Sequence, residues 1–324
     1  MVAKISNIRG QDIKRFCGEH SAIIAFVVIF ITAVILRGDM FLSSTNLINI
    51  LRNNAVVGII AIGMTLIIVI GGVDLSVGAQ LVLTGWITLE VTNSTQNIFL
   101  GIAAGVVGGI LTGVAAGTLV ARLKIPTFIV TLGTMTIYRS IVLNALRGGG
   151  LMVEGDVAGA YTSIANNSFL GVPLPIIYWL ALTVIFHFFT TKTAMGRYIY
   201  AVGSNERATM LSSINVVAVR ILVYSISGAL VALAAVAETS RLGSINSASS
   251  GLNHNLDAIA AAVIGGASMS GGKGKIVGTF FGAFTLGIIN NMLNLMGVAP
   301  FLVGAVRGSV VIGAVLFQKF LDRK

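Results

Sequence analysis

The chain has 324 residues, of which 56% are hydrophobic and 10% charged, and its mean hydropathy is +0.95. A soluble domain does not carry that much apolar surface, and the apolar residues fall in runs of membrane-spanning length, so composition predicts an all-α, polytopic integral membrane protein. The net charge of +10 does not point to nucleic acid. The Lys and Arg residues stand between the apolar runs, not in one stripe with aromatics, and read as topology determinants and lipid-headgroup contacts.

The first twenty residues are polar and include Cys17, the single cysteine, which excludes an internal disulfide. Ser21–Leu36 follows with no small-residue cleavage site and reads as a retained span. Phe41–Arg52 can be capped by Ser44 or Thr45 and carries Leu47, Ile48, Ile50 and Leu51 on one face, which predicts an external helix lying in the interface. Further apolar segments run over Ala55–Ile70, Val77–Val91, Ile98–Val120, Pro126–Leu146, Val172–Phe189, Ile221–Ala237, Leu256–Ala267, Ile276–Leu295 and Pro300–Phe317, giving an expected ten spans. Several are shorter than the ~20 residues a crossing helix needs; these extend into flanking polar residues or are broken or re-entrant helices against a cavity. With the N-terminus inside, fifteen of the twenty-one basic residues fall on the cytoplasmic side and only Arg37, Arg52, Arg147 and Arg241 outside. Both termini are therefore expected in the cytoplasm, and the whole chain reads as one transmembrane domain.

Glycine is patterned as well as abundant. Gly101, Gly105, Gly109, Gly113 and Gly117 recur at every fourth residue and make a ridge on which another helix backbone can pack closely. Val69–Gln80 (VIGGVDLSVGAQ) and Val263–Gly274 (VIGGASMSGGKG) share six of twelve positions, a weak internal repeat that Pro126–Val130 and Pro300–Val303 extend. Gly71, Gly72, Asp74, Ser76 and Gly78 in the first copy, and Gly265, Gly266, Ser270 and Gly272 in the second, mark expected helix breaks on one side of the membrane. Such breaks are tolerated only against protein or a water-filled cavity.

The segment Thr190–Arg220 is a long polar loop with Lys192, Arg197, Arg207 and Arg220 against a single Glu206. It is too short for a core of its own, its basic excess places it in the cytoplasm, and Ser204–Ser213 can form a short helix exposed for docking. No phosphate-binding loop is present, since Ala267 stands where the first glycine of that motif would be and Gly274 follows Lys273. His20, His187, His254 and Cys17 lie far apart and make no metal motif. The chain is therefore expected to be no enzyme and to hold no cofactor and no metal. Asp74, Glu238 and Asp257 are the carboxylates nearest the spans, with helix capping or loop anchoring as the alternative to a functional role. Asn290, Asn291 and Asn294 share one face of an apolar run. Neutral amides suit a polyhydroxylated solute, and equally suit helix–helix hydrogen bonding.

Four ordered motifs, GGVDLSVGA (71–79), GRYIYAVGSNERATMLSSINV (196–216), LDAIAAAVIGGASMSGGKGKIVGT (256–279) and NNMLNLMGV (290–298), resemble the ribose-type permease family of ATP-binding-cassette (ABC) importers from about Phe41 to Phe317. The resemblance implies a multi-pass protein of the bacterial inner membrane. It also implies a second permease copy or paralogue, a cytoplasmic ATPase subunit, and an external binding protein delivering a monosaccharide. In that family the segment matching Asn205–Asn215 is the coupling helix that enters the ATPase, which implies that role for Asn205, Glu206, Arg207, Ala208, Leu211, Ser212 and Asn215. Two departures stand out: Arg207 replaces a usual Ala and Ser213 a usual Gly. The rival reading is a secondary carrier or channel for a small polar solute.

Overall fold

A computed structural model describes residues 21–299 and, beyond them, 302–306, 308–309, 312–313 and 316. The segment 1–20, with Cys17, lies outside the described residues. The elements are α1 (Ser21–Phe41), α2 (Ser44–Val69), α3 (Val77–Thr95), α4 (Ile98–Ala121), α5 (Thr127–Ala145), β1 (Gly150–Met152), α6 (Ala158–Asn166), β2 (Ser168–Phe169) and β3 (Val172–Pro173). They continue with α7 (Leu174–Lys192), α8 (Ala194–Ser204), α9 (Glu206–Leu211), α10 (Val216–Leu242), β4 (Ser244–Asn246), α11 (His254–Ile264) and α12 (Ile276–Leu295).

Seven of the described helices, α1, α2, α4, α5, α7, α10 and α12, are long and apolar enough to cross a membrane. Three of the ten expected spans are not among these seven, each for its own reason. Helix α3 has 19 residues, but Thr84, Thr88, Glu90, Thr92 and Asn93 make it too polar to count on composition. Leu256–Ala267 becomes the 11-residue α11. Pro300–Phe317 lies partly outside the described residues; those of it that are described are helical.

The expected interfacial helix over Phe41–Arg52 is corrected. From Ser44 onward it is the first part of α2, capped by Ser43, whose hydroxyl accepts from the Asn46 amide at 3.3 Å. The helix runs straight through Arg52, Asn53 and Asn54, whose side chains each find a partner on another element, Arg52 on Asn166 of α6 at 2.5 Å. The Asn53 amide oxygen accepts from Arg241 at 2.6 Å, and buried Asn54 donates to the Ala283 carbonyl. Further along, α2 is buried on all sides by α7, α10, α11 and α12, with Ile59, Ile60, Met64, Leu66 and Ile67 at the centre of the main core.

Lipid tails are as apolar as leucine, so helix association here depends on close contact more than on water exclusion. The glycine ridge of α4 provides it. All five ridge glycines are buried. A Cβ on Gly101 or Gly105 would strike the hydroxyl of Thr92 or Thr88 on α3, and on Gly109 or Gly113 the carbonyl of Gly228 or Tyr224 on α10. The α3 threonines are polar only in composition: Thr84, Thr88 and Thr92 donate to carbonyls four residues back at 2.9, 2.8 and 2.7 Å, so their burial strands no donor.

Helix α10 carries α9 at one end and β4 at the other. At the β4 end, β1 and β4 pair antiparallel with Leu151 opposite Ile245. There α6 packs on α10, with the Tyr161 and Thr239 hydroxyls 2.5 Å apart.

Candidate functional site

At the α9 end, asparagines do the local work. Asn205 leaves α8 in extended backbone and caps α9 by accepting from the Ala208 amide at 3.0 Å. Asn215 caps α10 in the same way through the Ala218 amide, also at 3.0 Å. Ser212 closes α9 with its amide on the Ala208 carbonyl at 3.1 Å. Glu206 reaches Arg220 on α10 at 2.8 Å and ties α9 to the bundle. Thr209 is turned inward, whereas Arg207, Ala208 and Met210 are exposed and Leu211 is 88% exposed. Ser213 holds φ +61°, a left-handed conformation that glycine adopts without strain, which explains the usual glycine of the resembling family at this position.

The two helix breaks lie against each other. The first ends α2 with Gly71 at φ +82° and the Gly72 amide on the Ile67 carbonyl at 2.9 Å; the second ends α11 with Gly266 at φ +88° and the Ala267 amide on the Ala262 carbonyl at 2.9 Å. The left-handed glycine thus falls one residue later in the second copy than the VIGG match implies. Both copies then make the same turn. The Ser76 amide donates to the Asp74 carboxylate at 2.7 Å, and the Ser270 amide to the Ser268 hydroxyl at 3.3 Å. The Ser76 hydroxyl adds a second bond to Asp74 at 2.6 Å. Gly265 packs on Thr279 of α12, and Gly78 on the carbonyl of Gly251, in the segment leading into α11.

Asn290, Asn291 and Asn294 all border one cavity of about 350 Å³, between α2, α12 and the start of α11. Asn49, Asn53 and Asn54 of α2 face them, and His254 and Asp257 complete a wall of mostly neutral amides. Asn291 also exchanges two hydrogen bonds with Asn46 of α2, at 3.1 and 2.7 Å, so it links helices as well as lining the cavity. Beside the cavity His254 pairs with buried Glu238 at 3.0 Å. Asp74, Glu238 and Asp257, which the sequence placed near loops, are all buried within the protein. A second cavity of about 380 Å³ lies on the far side of Leu252, next to Arg139, whose guanidinium donates to the carbonyls of Ser247 and Ser250 at 2.8 and 2.9 Å. Sequence reasoning missed Asn49, Asn53 and Asn54. Their signal was present in INILRNNA, where residues 49 and 53 share a helix face.

Membrane-length helices, breaks at glycine pairs and a polar cavity among the helices fit a membrane permease. The chain belongs to the family described as the branched-chain amino acid transport system / permease component, whose model matches residues 46–316. It is 40% identical to the ribose import permease protein RbsC of Haemophilus influenzae over 97% of both chains. It is 42% identical to RbsC of Bacillus subtilis over 92% of this chain and 90% of that one. The L-arabinose transport system permease protein AraH of Escherichia coli is 33% identical over 95% of this chain and 93% of its own. No solved structure matches. The family's members are transporters, and with its membrane-length helices this chain is a multi-pass membrane protein.

Proposed function

We propose that this chain is the transmembrane permease of a binding-protein-dependent ABC importer that moves a monosaccharide into the cytoplasm, a ribose-like pentose, a hexose or a related small polyol or furanose. The observation that carries the reading is the cavity lined by Asn49, Asn53, Asn54, Asn290, Asn291 and Asn294, in a chain whose relatives include ribose import permeases. Amides offer donors and acceptors to sugar hydroxyls without a charge to desolvate. Contacts there are transient, because a tight site would slow release, and selectivity rests mainly with the external binding protein. In this reading α9 faces the cytoplasm, as do both termini, in the bacterial inner membrane. Arg207, Ala208 and Leu211 contact a separate ATPase subunit, while Asn205, Glu206, Ser212 and Asn215 hold the turn. A second permease copy or paralogue completes the pore, and the chain acts as one domain with no bound cofactor.

Reconstituted protein should take up radiolabelled D-ribose or L-arabinose only with its ATPase subunit, its binding protein and ATP present. Uptake independent of ATP and driven by a proton gradient would select the second reading, a secondary carrier. The buried Glu238–His254 pair at 3.0 Å beside the cavity is the observation on that side.

A further inference from the structure

Three segments far apart in sequence meet backbone to backbone at the α9 end. The Gly272 amide donates to the Val69 carbonyl at 2.8 Å, joining the two helix breaks. Gly203, next to last in α8, sits on both: a Cβ there would overlap the Val69 carbonyl and stand 2.7 Å from the Gly272 nitrogen. A Cβ on Gly271 would stand 2.8 Å from the Gly203 carbonyl oxygen, and one on Gly272 would stand 2.9 Å from the Ser204 Cα. Less than one turn earlier in α8, the Tyr200 hydroxyl donates to the Gly274 carbonyl at 2.7 Å. Burial raises the pKa of that hydroxyl above the ordinary tyrosine value, so it remains a donor at neutral pH.

Each segment leads somewhere that matters. Gly203 and Ser204 run directly into Asn205 and α9. The second break is the end of α11, whose 11 residues rise about 16 Å to reach Asp257 and His254 on the amide-lined cavity. Helix α11 is in turn fixed to α12 without intervening side chains, since a Cβ on Gly282 would overlap the Ala261 carbonyl, and one on Gly278 the Gly265 carbonyl. Where backbones touch directly, no rotamer change can absorb a displacement, and the packed segments move together.

We infer that this contact among Val69–Gly72, Gly203–Ser204 and Gly271–Gly274 is the mechanical joint that carries movement of α9 along α11 to the cavity, with Tyr200 and Gly203 as the positioning residues that keep it closed. The inference rests on the reading of α9 as the ATPase-docking element.

The test uses the full transporter in liposomes, with its ATPase subunits and binding protein, D-ribose as the probe, and a Cys17→Ser, Leu252→Cys background that reports cavity access by thiol labelling. Tyr200→Phe removes one neutral hydrogen bond, an equilibrium factor of about fivefold. Ribose taken up per ATP hydrolysed should fall by that factor, and the ATP-dependent change in labelling at position 252 should shrink with it. Co-purification of the ATPase subunit should hold, and the melting temperature should fall by no more than a few degrees, as the loss of one hydrogen bond requires. Gly203→Ala should push the same readouts further, and if it fails to assemble, Tyr200→Phe carries the test alone. Unchanged coupling ratio and unchanged ATP-dependent labelling in Tyr200→Phe would overturn the joint, as would loss of the ATPase subunit from that variant. Failure of the unmodified chain to retain the ATPase subunit is a separate result; it removes the docking reading and the joint with it.

Discussion

Gly109→Ala tests the packing logic of the bundle with a single methyl group. Gly109 lies where α4 crosses α10. An added Cβ would overlap the Gly228 carbonyl oxygen and stand 2.9 Å from the Ala232 Cβ and 3.0 Å from the Gly228 carbonyl carbon. Carbons rest at about 3.5–4.0 Å, so the two helices must part by roughly 1 Å. Parting them also pulls at Gln80, whose amide donates to the Gly109 carbonyl at 3.3 Å and to the Thr112 hydroxyl at 2.6 Å. Overpacking costs about 1–3 kcal/mol and a weakened hydrogen bond up to about 1 kcal/mol more, while the helix propensity of alanine offsets about 1 kcal/mol, so the expected net loss is up to about 3 kcal/mol. Gly133 on α5 is the control, because an added Cβ there meets nothing within 4 Å. Alanine at that position should be neutral or stabilising by up to about 1 kcal/mol through helix propensity. Thermal melts of detergent-solubilised protein, followed by size-exclusion fluorescence, should place Gly109→Ala well below wild type and Gly133→Ala at or above it. Equal melting temperatures for the two variants would refute the reasoning.

Leu211→Asp, at an 88% exposed position, should leave folding intact and abolish co-purification with the ATPase subunit; retained co-purification would remove α9 as the docking element. Asn291→Leu strands its partner Asn46 and should cost about 1 kcal/mol in stability, whereas Asn294→Leu should lower uptake without lowering the melting temperature. Cysteines at 290, 291 and 294 should react with a small water-soluble thiol reagent while those at Ile289 and Leu293 stay protected; uniform protection would make the asparagines purely structural. Ser213→Gly relieves a side chain from φ +61° and should stabilise the chain by about 1 kcal/mol, a gain that chemical denaturation would register or deny.

The all-α class and the packing ridge were legible because their signals are local. A glycine at every fourth residue has one geometric meaning, and α4 presents those residues to α3 and α10. The amide face of 290, 291 and 294 was legible for the same reason: polar residues within an apolar run share a helix face. What escaped depended on tertiary partners. Asn53 and Asn54 looked like the border of a span, because nothing in their neighbourhood announces that Arg241 and the Ala283 carbonyl will satisfy them. Glu238 and His254 flank a polar loop in sequence, yet the chain folds that loop back so that the two pair beside the cavity. The resemblance places Glu206 in the coupling segment, but nothing in the sequence announces that Arg220, fourteen residues on, pairs with it.

The shortness of α11 bears on how the protein is made. Its 11 residues rise about 16 Å, roughly half the hydrocarbon thickness, so it cannot hold a transmembrane position by itself. Its first turn also carries Asp257, a residue that insertion into lipid penalises by about 3 kcal/mol at mid-membrane depth. The long helices can enter the bilayer one at a time on their own hydropathy, but α11 gains its place only once α2 and α12 stand ready to enclose it. The place of α11 therefore depends on its tertiary contacts with α2 and α12, and so does the cavity wall that His254 and Asp257 supply.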